Sequence, residues 1–558
     1  MATDKDEFMT EGATVSGNDL VGQTLAKLGV AEAFFLMGGP MLEAENACIK
    51  SGIRMIDVRH EQAAAMMAQA YARLLGKPGV CMAAAGPGAI NFTTGLANAL
   101  IDCAPVVALG GASPVAHYGI GSFQEIDQVA IMRPVTKWAE RVYDTRRIPD
   151  YIATAYGEAM SGKPGPVYLD LPGDVLYRKV PAAEVRWPAF DAPAPAKPHP
   201  SPAEIERVRD LLRQAERPVI LSGSGILWSG AAAALEAFVD AVGVPFYTTP
   251  QGRGVVPEDH PCCFPHARSH ALANADLVLT VGTRINYMFD YGRPPRFSPD
   301  ATFVRVDIDA AELARTRLRG HAVVADAGAF LTAMLEAAGG EEPARYASWR
   351  EKLGAIQRDR EAAQAPKLAN DATPIHPLRL CDEVARFMDR DAILVVDGQE
   401  ILNYGRQSIR TFAPGHRLNS GPFGTMGVGL PFGLGAKVAK PATQVIVLHG
   451  DGAFGLNGME LDTAARHGLA VLVVVSLNGG WTADPDRSKP GRDLGYTRFD
   501  KLAETLGCHG EFVERPEDIR PALERGKAAV ARGQTALVNV VTDWRARAAT
   551  ANFTNYAT

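Results

Sequence analysis

Short apolar runs of strand length alternate with Ala-rich stretches of helical period along almost the whole chain. In the first third, residues 33–37, 80–84 and 106–109 read as strands, and residues 61–75 and 89–101 read as helices. Alternation of this kind predicts a parallel sheet covered by helices on both faces. A Pro/Ala-rich stretch, residues 191–202, resists both helix and sheet and reads as a linker. Beyond it, residues 219–226, 277–285 and 302–309 are apolar runs, each leading into a loop. Residues 340–371 are charged and rich in Ala and Gln, which predicts a helix and connector. The last third repeats the alternation, with apolar runs at 392–398, 443–455, 469–480 and 535–543. The predicted fold class is α/β, with three doubly wound parallel-sheet domains at 1–185, 200–340 and 371–544 and a tail at 545–558. The repetition is architectural, since no fixed-period repeat of the solenoid kind is present.

Composition narrows the class. Of 558 residues, 57 are Lys or Arg and 63 are Asp or Glu, giving a net charge of −6. That balance argues against a nucleic-acid binder and a polybasic membrane-surface protein. The seven cysteines contain no C-x-x-C spacing, which suits a reducing compartment. Residues 1–17 are polar and acidic, without the apolar segment of a signal peptide. No apolar run is long enough to span a bilayer. The expectation is a cytoplasmic protein with no membrane or nucleic-acid partner. The twelve histidines show no metal-ligand spacing, and His60 and His449 read as structural.

The most specific chemistry lies in the last domain. Gly450-Asp451-Gly452 closes one apolar strand, and Leu477-Asn478-Gly479-Gly480 closes the next. An Asp and an Asn at the ends of two parallel strands can converge on one hard cation through oxygen ligands, and magnesium bound in this way commonly bridges to phosphate. The glycines allow backbone N–H groups close to such phosphates.

This pair resembles the thiamine diphosphate motif. The resemblance implies that Asp451, the Asn478 side chain and the Gly480 carbonyl hold magnesium. The first position of the usual Asn-Asn pair is Leu477 here, but the ligand is the second. It implies further cofactor contacts from Glu400, Gly452 and Ala453. Thiamine chemistry also needs a buried carboxylic acid to pin the pyrimidine ring nitrogen. Glu61, after a strand and at the head of an Ala-rich helix, matches that position. The stretch GPFGTMGVGLPFGLGAK at 421–437 resembles the loop that bends the cofactor, with Met426 as the wedge beneath it and the Gly424 carbonyl as an acceptor. The domains then correspond to a pyrimidine-binding (PYR), a central Rossmann-like and a diphosphate-binding (PP) domain.

Across nearly its whole length the chain resembles the group that contains acetolactate synthases, oxalyl-CoA decarboxylases and 2-hydroxyacyl-CoA lyases. Gly86-Pro87-Gly88 with Asn91 and Asn98, and SFQEIDQVAIMRPVTKWA at 122–139, are shared features. The group implies a homodimer or homotetramer. GTRINYMFDYGRPPRF at 282–297 and GRQ at 405–407 resemble the CoA-using branch. Acetolactate synthases differ at the first of these, where FAD is associated, so FAD is not expected. Arg253 and Arg406 are the first candidates to meet the anions of CoA. Arg284 and Asn286 stand second, with a structural role or an ADP or other nucleotide site in the central domain as equal alternatives.

Phe123-Gln124 replaces the Tyr-Glu pair of the decarboxylases and matches the lyases, though the synthases share it. A neutral Gln amide suits an aldehyde or ketone better than a departing carboxylate. The implied activity is a lyase and carboligase that reversibly cleaves a 2-hydroxyacyl-CoA to formyl-CoA and a small aldehyde or ketone. Oxalyl-CoA decarboxylation and an acetolactate-synthase-like carboligation are the alternatives. The base acting on the 2-hydroxyl is left open between the cofactor's own aminopyrimidine, Gln124 through water, and Asp493. Gly38-Gly39-Pro40 resembles a substrate-side loop. The tail, with Arg545, Arg547, Phe553 and Tyr556, is read as a lid or as a frayed end.

Overall fold

A computed structural model describes residues 13–190, 196–338, 343–481, 486, 488 and 490–548. The chain divides into two compact units, residues 1–195 and 196–558. The first unit contains the residues expected for the PYR domain, 1–185. The second holds both the central and the PP sheets, so two of the three expected domains share one unit.

The sheet of the first unit has six parallel strands in the order Arg54–Asp57, Glu32–Leu36, Gly79–Ala83, Val106–Ala112, Val167–Pro172, Trp138–Arg141. The PP sheet runs Arg417–Leu418, Ile393–Asp397, Val445–Gly450, Leu472–Leu477, Ala536–Val541, His509–Val513, also all parallel. Counted along each domain, both have the order 2-1-3-4-6-5, so the terminal domains share one topology without sharing a sequence repeat. The central sheet has five parallel strands, Phe246–Thr248, Pro218–Ser222, Leu277–Val281, Thr302–Asp307 and Gly320–Val324.

The central strands of the terminal sheets are buried along their whole length, which is why they read as unbroken apolar runs. The Ala-rich composition of helix Glu61–Leu75 has a packing reason. A Cβ on Gly79 would lie 2.1 Å from the Ala68 carbonyl oxygen, so helix and sheet approach closer than larger side chains would permit. His60 caps this helix by accepting from Gln62 N, and Gly76, at φ 67°, ends it. The run predicted as one helix at 89–101 is two, Pro87–Asn91 and Thr93–Ile101, broken at Phe92, whose ring is fully buried.

Within the second unit the connector is the helix Ala347–Leu368. Polar ties cross from the central to the PP sheet, among them Tyr287 Oη donating to the Pro422 carbonyl at 2.7 Å and Thr411 N donating to Glu258 at 2.9 Å. Among the described residues no helix is long and apolar enough to cross a membrane.

Candidate active site

In both terminal domains the strand order reverses between strands 1 and 3, and open α/β sheets bind ligands beyond the carboxyl ends of the strands at such a point. The PP domain has a cleft there. It is lined by Gly398, Gln399 and Glu400 after strand 1, by Gly450 to Ala453 after strand 3, and by Asn478, Gly480 and Trp481 after strand 4. Met426 closes another side. The residues expected to hold magnesium and diphosphate, Asp451, Gly452, Ala453, Asn478 and Gly480, therefore share one cleft with Glu400 and Met426.

Asp451 is buried, and its two carboxylate oxygens accept from Gly452 N and Gly479 N, each at 2.8 Å. These bonds tie the ends of the two strands together. Burial pushes the Asp451 carboxyl up to about 6 against the pull of the backbone donors. A divalent cation would offset that cost. Gly480 N donates to the Asn478 side-chain oxygen at 3.3 Å. Gly480 has φ 151°, and a Cβ there would lie 1.9 Å from the Arg492 carbonyl oxygen. Only glycine can stand at that point. Among the described residues no three or more His, Cys, Asp or Glu side chains form a metal cluster. The set proposed for magnesium has one carboxylate, one amide and one carbonyl, which suits a hard cation that takes its remaining ligands from water and phosphate. On the floor of the cleft, a Cβ on Gly452 would lie 2.8 Å from the Trp481 ring, so backbone is exposed to the cleft where a side chain cannot fit.

Asp397 was not singled out from the sequence. It ends strand 1 fully buried and accepts from Gly398 N at 2.7 Å and Gly429 N at 2.8 Å, which pins the glycine-rich loop that carries Met426. Burial raises it to about 6. Asn457 Nδ2 donates to the Gly427 carbonyl at 2.7 Å and holds the same loop from the other side. Gly424, at φ 74°, makes the turn before it. His449 lies beneath, held neutral near a pKa of about 3 by burial, with its ring against the place a Gly429 Cβ would occupy. His60 is thus placed as a helix cap and His449 as packing beneath this loop.

In the first unit Glu61 is buried at the head of its helix. Asn91 Nδ2 donates to Glu61 Oε2 at 2.9 Å. A Cβ on Gly88 would lie 3.3 Å from Glu61 Oε1, so the small Gly86-Pro87-Gly88 turn keeps that oxygen uncrowded. Phe123 is 86% exposed and Gln124 is half-buried with φ 59°, an unusual value for a side-chain-bearing residue.

The CoA candidates divide. Arg253 is buried and its guanidinium is fully engaged. It pairs with both oxygens of Glu258 and donates to the Ile409 carbonyl at 2.9 Å and the Arg406 carbonyl at 3.4 Å. Those partners make it a strut between the central and PP sheets and remove it from the CoA candidates. Asn286 spends its side-chain oxygen on Met288 N at 3.1 Å, capping the next turn. Arg284 is half-buried. This geometry gives no support to a nucleotide site in the central domain. Arg406 lies in the last turn of helix Glu400–Ser408, whose first residue lines the cleft. Arg268, missed in the sequence, stands near Arg296, Arg406 and Arg253, and burial with these like charges pulls it down to about 10. Arg417 is 1% exposed, its two terminal nitrogens have no hydrogen-bond partner among the described residues, and burial with Arg253 and Arg406 lowers it strongly. Within this group Glu258 pairs with Arg253 and Asp290 pairs with Arg296, so the guanidiniums outnumber these two carboxylates.

Asp493 pairs with Gly480 as an isolated bridge and accepts from Gly495 N at 3.2 Å, which sets its segment beside the magnesium-ligand candidates. Asp543 and Ala546 line the cleft, and Ala548 N donates to Glu400 Oε2 at 2.9 Å. The start of the tail thus meets the cleft through Ala546 and Ala548, Arg545 and Arg547 are not among the cleft-lining residues, and Phe553 and Tyr556 lie outside the described residues. Asp543 closes the last strand run, the same signal that gave Asp451.

Three family models match: the N-terminal thiamine pyrophosphate-binding domain over residues 15–131, the central domain of thiamine pyrophosphate enzymes over 205–334, and the C-terminal thiamine pyrophosphate-binding domain over 402–540. The chain belongs to the thiamine pyrophosphate enzyme family. It is 36% identical to the acetolactate synthase large subunit IlvG of Mycobacterium tuberculosis, over 95% of this chain and 96% of that one. It is 33% identical to the 2-hydroxyacyl-CoA lyase of Arabidopsis thaliana, over 96% and 97%. It is 31% identical to the oxalyl-CoA decarboxylase of Escherichia coli, over 94% and 95%. The expected fold class and the expected kinship to this group of enzymes both stand, and the identities do not rank the three reactions.

Proposed function

We propose that this thiamine pyrophosphate enzyme is a 2-hydroxyacyl-CoA lyase that reversibly cleaves a 2-hydroxyacyl-CoA to formyl-CoA and a small aldehyde or ketone. The observation that carries the reading is the excess of guanidinium groups around Arg268, Arg406 and Arg417. Such an excess in a poorly solvated place favours a polyanion, and Arg406 shares a helix with Glu400 in the cleft. CoA fits both the charge and a thioester reaching that cleft. Arg268 and Arg406 are the proposed contacts, with Arg284 secondary.

When bound, thiamine diphosphate supplies a carbon nucleophile that accepts an acyl group. The chain's own residues do the rest. Asp451, Asn478 and Gly480 would hold magnesium. Gly452, Ala453 and Glu400 would border the diphosphate end, and Met426 and Gly424 would shape the bend. Glu61 would hold a proton at the pyrimidine ring nitrogen, with Asn91 fixing one of its oxygens. Gln124 would present a neutral amide to the carbonyl partner, Phe123 an apolar wall, and Asp493 a carboxylate beside the cleft. Residues 543–548, docked on Glu400, would exclude water from one side. Exposed Phe423, Leu456 and Met459 in the PP domain and Ile120 and Phe123 in the PYR domain support burial of both half-sites in a homodimer or homotetramer. A cytoplasmic location belongs to the same proposal.

The acetolactate-synthase reading is the second, because the synthases share the Phe123-Gln124 pair and a mycobacterial protein of that name is among the relatives. One assay separates them. Purified enzyme with thiamine diphosphate and magnesium is given formyl-CoA with acetone, formaldehyde or longer carbonyls, and in parallel pyruvate or oxalyl-CoA. Formation of a 2-hydroxyacyl-CoA is expected. Acetolactate with a flavin spectrum would install the synthase, and carbon dioxide from oxalyl-CoA the decarboxylase.

A further inference from the structure

Beneath the Phe123–Gln124 loop, the first unit holds a closed polar network that the proposed chemistry does not use. Gln128 is 1% exposed. Its side-chain oxygen accepts from Gly86 N at 2.5 Å, and its nitrogen reaches the Gly111 carbonyl at 2.9 Å, Tyr168 Oη at 2.8 Å and Asp170 Oδ1 at 2.6 Å. Tyr168 Oη donates to the same Asp170 oxygen at 2.6 Å. Arg141 closes the other side of Asp170 from Nε at 2.9 Å, and its guanidinium stacks over the Tyr118 ring at 4.4 Å. Burial raises the fully buried Asp170 carboxyl, while Tyr168, Arg141 and Gln128 pull it down.

The network meets the loop at two points. Through Gln128 it holds Gly86, at φ 58°, and a Cβ there would lie 2.7 Å from the Gln124 carbonyl oxygen and 2.8 Å from its Cβ. Two left-handed residues thus stand back to back, and only one of them is a glycine. Through Arg141 the network holds Tyr118, at the start of the loop. Between these points the loop braces itself. Glu125 accepts from Gly119 N at 2.7 Å and Ser122 N at 2.9 Å, and Ser113 Oγ donates to the Phe123 carbonyl at 3.2 Å. A left-handed Gln persists only where its surroundings over-determine it, and Gln128 is the side chain that fixes the surface it rests on.

We propose that Gln128 is a positioning residue: it fixes the Gly86 turn against Gln124 and so sets how the Gln124 amide is presented to the carbonyl substrate. This rests on the reading of Gln124 as substrate-facing. Gln128 itself is too buried to touch substrate.

The test uses the full-length enzyme with thiamine diphosphate and magnesium. Gln128→Met removes both ends of the clamp. Amide hydrogen exchange across residues 113–127 is expected to speed up by roughly tenfold or more, with exchange in helix Ile148–Met160 unchanged. KM for the carbonyl partner is expected to rise by roughly tenfold, with a smaller change in kcat. In a double-mutant cycle, Gln128→Met added to Gln124→Ala should lose no more than Gln124→Ala alone. Wild-type exchange in Gln128→Met, or losses that multiply in the cycle, would overturn the inference. Unchanged carbonyl kinetics in Gln124→Ala would overturn the substrate role of Gln124 and the kinetic half of the inference, while the exchange arm still decides whether Gln128 holds the loop. If Gln128→Met does not fold, Tyr168→Phe carries the same test, because it deletes only the hydroxyl bonded to both Gln128 and Asp170.

Discussion

The Asn91 side-chain amide donates to Glu61 Oε2 across 2.9 Å, joining the short helix after strand 3 of the PYR domain to the helix after strand 2. The bond fixes one carboxylate oxygen and leaves Oε1 beside the bare Cα of Gly88. Glu61→Gln keeps the shape and removes the transferable proton. It should lower activity by at least about 100-fold with little change in melting temperature. Asn91→Ala should cost less, roughly tenfold, because the carboxylate survives but turns more freely. Exchange of the thiazolium proton of bound cofactor, followed by NMR, is the direct readout. Full exchange rates in Glu61→Gln would remove Glu61 from the assigned role.

Asp451 accepts from two backbone donors that belong to different strand ends, so it is both a brace and the only carboxylate in the proposed magnesium set. Asp451→Asn can keep one of those bonds but brings an amide NH2 toward a backbone N–H and loses the charge. Calorimetric titration of the metal-free protein with thiamine diphosphate and magnesium should show affinity at least about 100-fold weaker. Wild-type affinity would place the metal elsewhere.

Much of this site was legible because strand ends carry it. Asp451, Asn478 and Gly480 each follow an apolar run that could only be a buried parallel strand, and the structure gathers them in one cleft. Glu61 was legible for a similar reason, at the junction of a strand and an Ala-rich helix. The arginines were harder. Arg253 and Arg406 look alike in a sequence, yet one is consumed by Glu258 and two carbonyls, and the other sits in a last helical turn. Arg268 lies in a plain helix with no motif around it, and only three-dimensional crowding with other guanidiniums reveals it. The shared 2-1-3-4-6-5 order of the two terminal sheets was equally hidden, since alternation of strand and helix says that a sheet is parallel but not how it is ordered.

Arg406 and Arg268 allow the CoA reading to be tested apart from the carbon chemistry. Arg406→Ala should raise KM for an acyl-CoA by roughly tenfold or more while kcat changes little, since the anion contacts would act in ground and transition states alike. Arg406→Lys should recover only part of it, because an ammonium lacks the planar fork. The effect should shrink for a pantetheine thioester that lacks the nucleotide. Equal losses with the truncated thioester would show that Arg406 acts on the fold or the cofactor and not on CoA.

Glu45 offers a test of stability that does not depend on the function. It lies in helix Leu42–Lys50, 2% exposed, and both its carboxylate oxygens are without a hydrogen-bond partner among the described residues. Burial alone raises its carboxyl from 4.5 to about 8. Between those values the folded chain binds more protons at this site than the unfolded chain, so unfolding free energy falls as pH rises. The ionisation-linked cost is absent below about pH 4.5 and complete above about pH 8. Glu45→Gln keeps the volume and cannot ionise. It should be more stable than the parent at pH 8 by about 2–4 kcal/mol and close to it at pH 5, so the two denaturation midpoints converge as the buffer is acidified. Equilibrium urea unfolding at the two pH values, read at Trp fluorescence, gives the comparison. A parent chain whose stability rises from pH 5 to pH 8 relative to Glu45→Gln would mean that Glu45 is ionised and paired in solution.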